Sequence, residues 1–301
     1  MQVFQNQEEN RIRSPWRIVL FMAFAILLLI TITAFVPFGA ASAVVISLAS
    51  TALLYLFGRY VDKRRFSGYG LQPDAIWWKE LGIGVLLGGG TIAILFIISL
   101  NLSLYQVTGY GWVGNPGFWA GWLGYLIMMA GVGYYEELLF RGYLNLNLYE
   151  GLRGNRLEGA FWPAALSILA ISVLFGLVHA GNPNATLLGI INVTLAGVML
   201  GVPFLATGRL AMPIGIHFAW NFVQGGVVGV PVSGLAATNS LLITHSIHED
   251  ILAGGAFGFE GGLLGTVGIL AILTGSVAWI VHLRKACRDQ QMKSTGTDFG
   301  R

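Results

Sequence analysis

A single cysteine, Cys287, and a scarcity of charge set the first limits on this chain. One thiol closes no internal disulfide and builds no cysteine-based metal cluster. Charged residues make up 10% of the 301 positions, against about 25% in an ordinary soluble domain. No His-Glu-x-x-His run occurs, so the helix of a conventional zinc protease is absent. The net charge of +3 gives no footing for nucleic-acid binding, because the basic residues prove to have a topological job.

Apolar residues, by contrast, make up 55% of the chain. Several of their runs exceed the roughly 20 residues that cross a bilayer as a helix. Spans are predicted at about 16–38, 40–59, 81–100, 119–145, 161–179, 185–206, 210–225 and 261–283. Internal Gly and Pro are tolerated in such helices. The expected fold class is all-α, a polytopic membrane helical bundle of about eight transmembrane helices forming one integral membrane domain over 1–301. The first run follows Arg11, Arg13 and Arg17, and Ala40-Ala41-Ser42-Ala43 imitates a signal cleavage site. Its apolar core is longer than the 7–15 residues of a signal peptide, so it reads as the first membrane helix.

Alternate connections separate the basic residues cleanly. One side takes Arg11, Arg13, Arg17, Arg59, Lys63, Arg64, Arg65, Lys79, Arg153, Arg156, Arg209 and the C-terminal tail; the other takes none, even across 225–262. The positive-inside rule then puts both termini in the cytoplasm, with the chain in the cell membrane. Pro73 to Glu80, with Trp77 and Trp78, reads as a short interfacial helix. Residues 101–118, with Tyr105, Tyr110 and Trp112, read as an outer loop with an aromatic belt.

One basic residue, Arg141, has no place in that pattern. It ends a run, Glu136-Glu137-Leu138-Leu139-Phe140-Arg141, inside the fourth span. A charge at the centre of a membrane helix costs roughly 2.5–3.5 kcal/mol on insertion scales, and such residues mark functional sites by default. Four residues apart on a helix, Glu137 and Arg141 share a face, while Glu136 points about 100° away. Glu137 is therefore expected to answer to Arg141. Glu136 is left to residues on other helices: His179 at the end of the fifth span, and His217 with Asn221 on one face of the seventh. A partly desolvated carboxylate is a general base for water, and imidazole and amide groups can donate to an oxyanion. Alternatively, Glu136, His179 and His217 supply the ligand types of zinc.

These runs resemble the CPBP family, which groups type II CAAX prenyl endopeptidases with bacteriocin-processing and immunity-associated membrane proteins. The family pattern is Glu-Glu-x-x-x-Arg, Phe-x-x-x-His and His-x-x-x-Asn/Asp. Glu136, Glu137 and Arg141 match the first, Phe175 and His179 the second, and His217 and Asn221 the third. The resemblance covers a protease core at about 119–225. It implies an intramembrane endopeptidase acting on membrane-anchored or lipidated peptides, with Glu136 activating water, His179 assisting, and His217 and Asn221 stabilising the oxyanion. Glu137, Arg141 and Phe175 become supporting residues. No cofactor is the favoured reading, with zinc as the alternative.

Two other classes compete. A non-catalytic scaffold or bacteriocin-immunity protein would bind a peptide on the same frame, and a transporter would use the carboxylates as proton relays. The transporter lacks the repeated halves expected of it. His245-Ser246-Ile247-His248-Glu249-Asp250 has the wrong order for a zinc motif and lies in a Gly-rich outer loop, away from the expected cavity. By simple counting His179 falls at the far end of its span from His217. The fourth helix is therefore predicted to continue toward Tyr149.

Overall fold

A computed structural model describes residues 4–6, 10–154, 160–236, 238–247 and 251–296. Arg156, Lys293, Arg301 and the His248-Glu249-Asp250 part of the histidine run lie outside the described residues or their described side chains. Apolar sequence on every side produces helices that turn side chains outward to lipid as well as inward. Six helices are long and apolar enough to cross a membrane: α1 (Ser14–Phe35), α2 (Ala40–Phe57, extended by a π turn to Asp62), α3 (Ala75–Asn101), α6 (Phe161–His179), α7 (Leu187–Thr207) and α9 (Leu263–Gly296). The remaining helices are α4 (Phe118–Glu137), α5 (Leu146–Arg153) and α8 (Ala211–Asn221). The predicted fourth and seventh spans are thus helical but fall outside the six. α8 is short, and α4 mixes Gly, Trp, Tyr and Glu into its apolar sequence.

The fourth helix does continue past Tyr149. Helical backbone runs from Phe118 through a π segment, Leu138–Asn145, into α5 and ends at Gly154. At roughly 1.5 Å per residue this rod is about 50 Å long, well beyond the ~30 Å hydrocarbon core. Its mid-height therefore lies level with the far end of the shorter α6, which resolves the mismatch between His179 and His217. The short interfacial helix expected at Pro73 is corrected. Asp74 accepts a hydrogen bond from Trp77 N at 2.7 Å and caps α3, so Trp77, Trp78 and Lys79 form the first turn of the third span.

Polar networks close the basic end. Arg17, 1% exposed, lies 3.5 Å from the buried Asp62, which also receives Tyr69 at 2.5 Å and Tyr143 at 3.1 Å. Glu150 on α5 pairs with Arg11 at 3.3 Å and with Arg64. Arg209, before α8, clasps Glu80 of α3 through two hydrogen bonds of 2.6 and 2.7 Å.

At the opposite end the expected plain loops are corrected. β3 (Tyr105–Tyr110) pairs antiparallel with β4 (Leu242–Ser246), which satisfies backbone groups of both segments in one ladder. His245 is an exposed residue of β4 opposite Gln106. A second, two-residue ladder joins β1 (Gln5–Asn6) to β2 (Arg11–Ile12).

α8 is held in the bundle interior by close backbone approach to α3. A Cβ on Gly88 would meet the carbonyl oxygen of Ile216, and one on Gly84 that of Met212. Small residues at this spacing are the usual means of packing membrane helices. Within the Gly run 88–90, Gly88 serves this packing, whereas a Cβ on Gly90 would meet open space.

Candidate active site

A cavity of about 750 Å³ lies between α4, α6, α7 and α8, and its lining includes Glu136, Phe175, His179, His217 and Asn221. The four residues expected to be catalytic thus share one chamber. Glu137 and Arg141 stand behind its wall, 0% and 1% exposed.

The division of the two glutamates is corrected in one respect. Glu137 Oε1 accepts from Arg141 Nη1 at 2.8 Å, and the same oxygen accepts from His217 Nδ1 at 2.8 Å. His217 was expected to answer to Glu136, but α8 packs on the Glu137 side of the helix. Arg141 spends a further donor on the Gly197 carbonyl at 3.3 Å, and its guanidinium lies 4.4 Å over the Phe175 ring. A buried ion pair needs such additional partners to offset desolvation.

With Nδ1 fixed on a carboxylate, the other imidazole nitrogen is aimed by default. His217 Nε2 points at Glu136, 3.8 Å from Oε2. That Oε2 is buried and has no hydrogen-bond partner among the described residues. His179 makes the same kind of commitment: its Nδ1 lies 2.8 Å from the Phe175 carbonyl oxygen, leaving Nε2 for the chamber. Phe175 is the common packing surface, with ring centroids 4.6 Å from His179 and 6.2 Å from His217. The chemistry available is an unpartnered carboxylate oxygen beside two oriented imidazoles and the Asn221 amide.

Two π segments begin next to motif residues, the first inside its motif and containing Arg141, the second directly after its motif ends. One follows Glu137 (Leu138–Asn145) and the other follows Asn221 (Phe222–Val227). Such insertions recur at functional sites because they rotate the side chains beyond them out of α register.

Sequence reasoning missed Glu260. It lies in the 3-10 turn Phe259–Gly261, 5% exposed, and its carboxylate accepts from Trp220 Nε1 at 3.1 Å and Gln224 Nε2 at 2.6 Å. The chamber lining includes it together with Ser233, Thr238 and Asn239, so the Gly-rich segment expected away from the cavity covers it instead. The available signal was a lone carboxylate in the run Ala253 to Gly262. Zinc, the alternative ligand, would draw on Glu136, His179 and His217. Among the described residues no three His, Cys, Asp or Glu groups converge on one point as placed, while the Nδ1 contacts of both histidines leave each Nε2 open, to a metal as much as to a substrate.

Long apolar helices around a largely apolar chamber that holds a few polar side chains define a multi-pass membrane protein with its candidate site inside the bundle. Residues 117–223, from the start of α4 to just beyond α8, match the model of the type II CAAX prenyl endopeptidase Rce1-like family. The matched stretch coincides with the one whose motifs resemble the CPBP family. No curated protein and no solved structure matches it.

Proposed function

We propose that the chain is an intramembrane endopeptidase that hydrolyses peptide bonds of membrane-anchored or lipidated substrates, with residues 119–225 as its protease core. The observation that carries this reading is the buried, unpartnered Glu136 Oε2 facing His217 Nε2 across 3.8 Å. A polar gap of that width suits a bridging water. Glu136 takes a proton from this water as its oxygen attacks the scissile carbonyl carbon. The carbonyl π electrons move to oxygen, and the oxyanion is met by the Asn221 amide and by the Nε2–H of His217 in its protonated form, which two nearby carboxylates favour. Collapse re-forms the carbonyl and breaks the C–N bond, and the proton held by Glu136 passes to the leaving amine. Glu137 keeps His217 in the required orientation, as the carboxylate partner of a catalytic histidine does.

The lining also bears on the substrate. It is mostly apolar, with Met128, Met129 and Val132 beside the polar residues, which suits an apolar or lipid-bearing segment next to the scissile bond. Both termini on the cytoplasmic side, by the basic-residue pattern, complete the proposal.

The test is cleavage of a lipidated and transmembrane peptide library by purified wild type and Glu136→Ala. Cleavage by wild type alone is the expected result. Equal cleavage by both overturns the mechanism, and cleavage by neither favours the peptide-binding scaffold.

A further inference from the structure

We infer that the end of α2 carries a binding site for the phosphate group of an anionic membrane lipid. A cleft of about 400 Å³ there is lined by Arg59, Lys63, Arg64 and Arg65 with the rings of Tyr55 and Phe66, and its lining includes no carboxylate. Local backbone builds it. The π turn Gly58–Asp62 ends at Lys63 in the left-handed region, φ 52°, and Arg64 N donates back to Gly58 O at 2.7 Å. This reversal folds four consecutive-side cations around one concavity. A Cβ on Gly58 would crowd the Tyr69 ring and the Arg64 carbonyl, so the turn is built tightly.

The four cations are not equally engaged. Arg64 is held by Glu150, and Lys63 gives one hydrogen bond to the Asn10 carbonyl. Arg59 lies 5.6 Å over the Tyr60 ring, and neither Arg59 nor Arg65 pairs with a carboxylate among the described residues. Both are exposed. A guanidinium fork matches two oxygens of a phosphate, and two forks without a carboxylate partner among the described residues, Arg59 being steadied by Tyr55 and Tyr60, make a phosphate site around one concavity rather than scattered surface charge.

The depth of the cleft selects the source of that phosphate. The outward face of α2 leading to it is apolar and uncovered, with Leu48 68% and Leu56 50% exposed. Tyr55 and Tyr60, 49% and 68% exposed, follow in the last turns. Acyl chains lie along the first pair, and the tyrosines mark the interface where headgroups begin. Topology alone asks for basic residues at this level but not for a concavity, and basic pockets at helix ends are where acidic headgroups bind.

The test uses the full chain purified in uncharged detergent and placed in nanodiscs of phosphatidylcholine, with or without phosphatidylglycerol. Retained lipid is read by native mass spectrometry for wild type, Arg59→Gln/Arg65→Gln, and an Arg284→Gln/Lys285→Gln control on α9. Expected is a single retained phosphatidylglycerol, weakened about tenfold or more in the first variant and unchanged in the control. Equal melting temperatures in phosphatidylcholine alone establish that the variants are folded. Equal retention by the Arg59/Arg65 variant, or equal retention of phosphatidylcholine, overturns the site. Displacement of the lipid by millimolar inorganic phosphate overturns the lipid as its source.

Discussion

Glu137 and His217 are joined across 80 residues of sequence by a 2.8 Å hydrogen bond linking α4 to α8. Because the same Glu137 oxygen also takes Arg141, the pair fixes the imidazole in orientation and ties the two helices that form opposite walls of the chamber. The neighbouring glutamate contributes no such bond through Oε2. The two carboxylates therefore differ in what their removal does.

Glu137→Ala leaves the Arg141 guanidinium buried without its carboxylate, a loss of about 3–5 kcal/mol for a broken buried pair. Glu136→Ala is expected to cost less than about 1 kcal/mol of stability, since it removes an unsatisfied buried acceptor, yet to abolish cleavage. Melting temperature and initial rate, measured side by side on both variants, separate stability from activity. A larger melting loss in Glu136→Ala would refute the division.

Strong chelator is expected to leave cleavage by the wild type at its full rate, with no zinc found in the purified protein. The placement of Glu136, His179 and His217 short of a ligand cluster motivates this expectation. Loss of activity restored by added zinc would require a rearranged site.

Close packing of α3 on α8 predicts a sharp contrast within one glycine run. Gly88→Ala places a methyl group against the Ile216 carbonyl, one residue before His217, and overpacking of this kind costs about 1–3 kcal/mol. Gly90→Ala meets open space and is expected to be neutral or to stabilise by up to about 1 kcal/mol through helix propensity. Melting curves read the first effect, and kcat reports whether α8 has moved.

Burial pushes the Glu260 carboxyl above its ordinary range, against hydrogen bonds from Gln224 and Trp220 that pull it down. The folded state then holds this proton more readily than the unfolded state does. The associated stability is fully present below the unfolded value, about 4.3, and is lost as pH rises through the folded value. Wild type should melt lower as pH climbs through that window, and Glu260→Gln should flatten the slope. An unchanged slope in the variant would show that other groups carry it.

Sequence periodicity was sufficient for much of this. The hydrophobic runs located each long helix, and the i,i+4 rule found the Glu137–Arg141 pair, because both signals are local. His179, His217 and Asn221 stand out as polar residues inside apolar spans and Phe175 only through the resemblance, and the structure brings all four to one chamber. The bond from His217 to Glu137 was not legible, since it depends on which side of α4 the distant α8 packs. The π segments at 138–145 and 222–227 were equally hidden, because apolar residues with α periodicity carry no mark of an inserted turn. Glu260 was lost in a Gly-rich stretch whose fold comes from β3–β4 pairing over more than 130 residues of separation. Nothing in the sequence marks Asp62, between basic residues at 59 and 63, as the 1% exposed carboxylate that holds Arg17, Tyr69 and Tyr143 together.

The unbroken helix from Phe118 to Arg153 works mechanically as a lever with a joint. One arm carries Glu136 and Glu137, and the other ends at Glu150 in the grip of Arg11 and Arg64. No loop separates the two arms, and the π run Leu138–Asn145 is the one departure from α winding between them. The surface clasp and the wall that holds the two glutamates thus belong to one continuous piece of backbone.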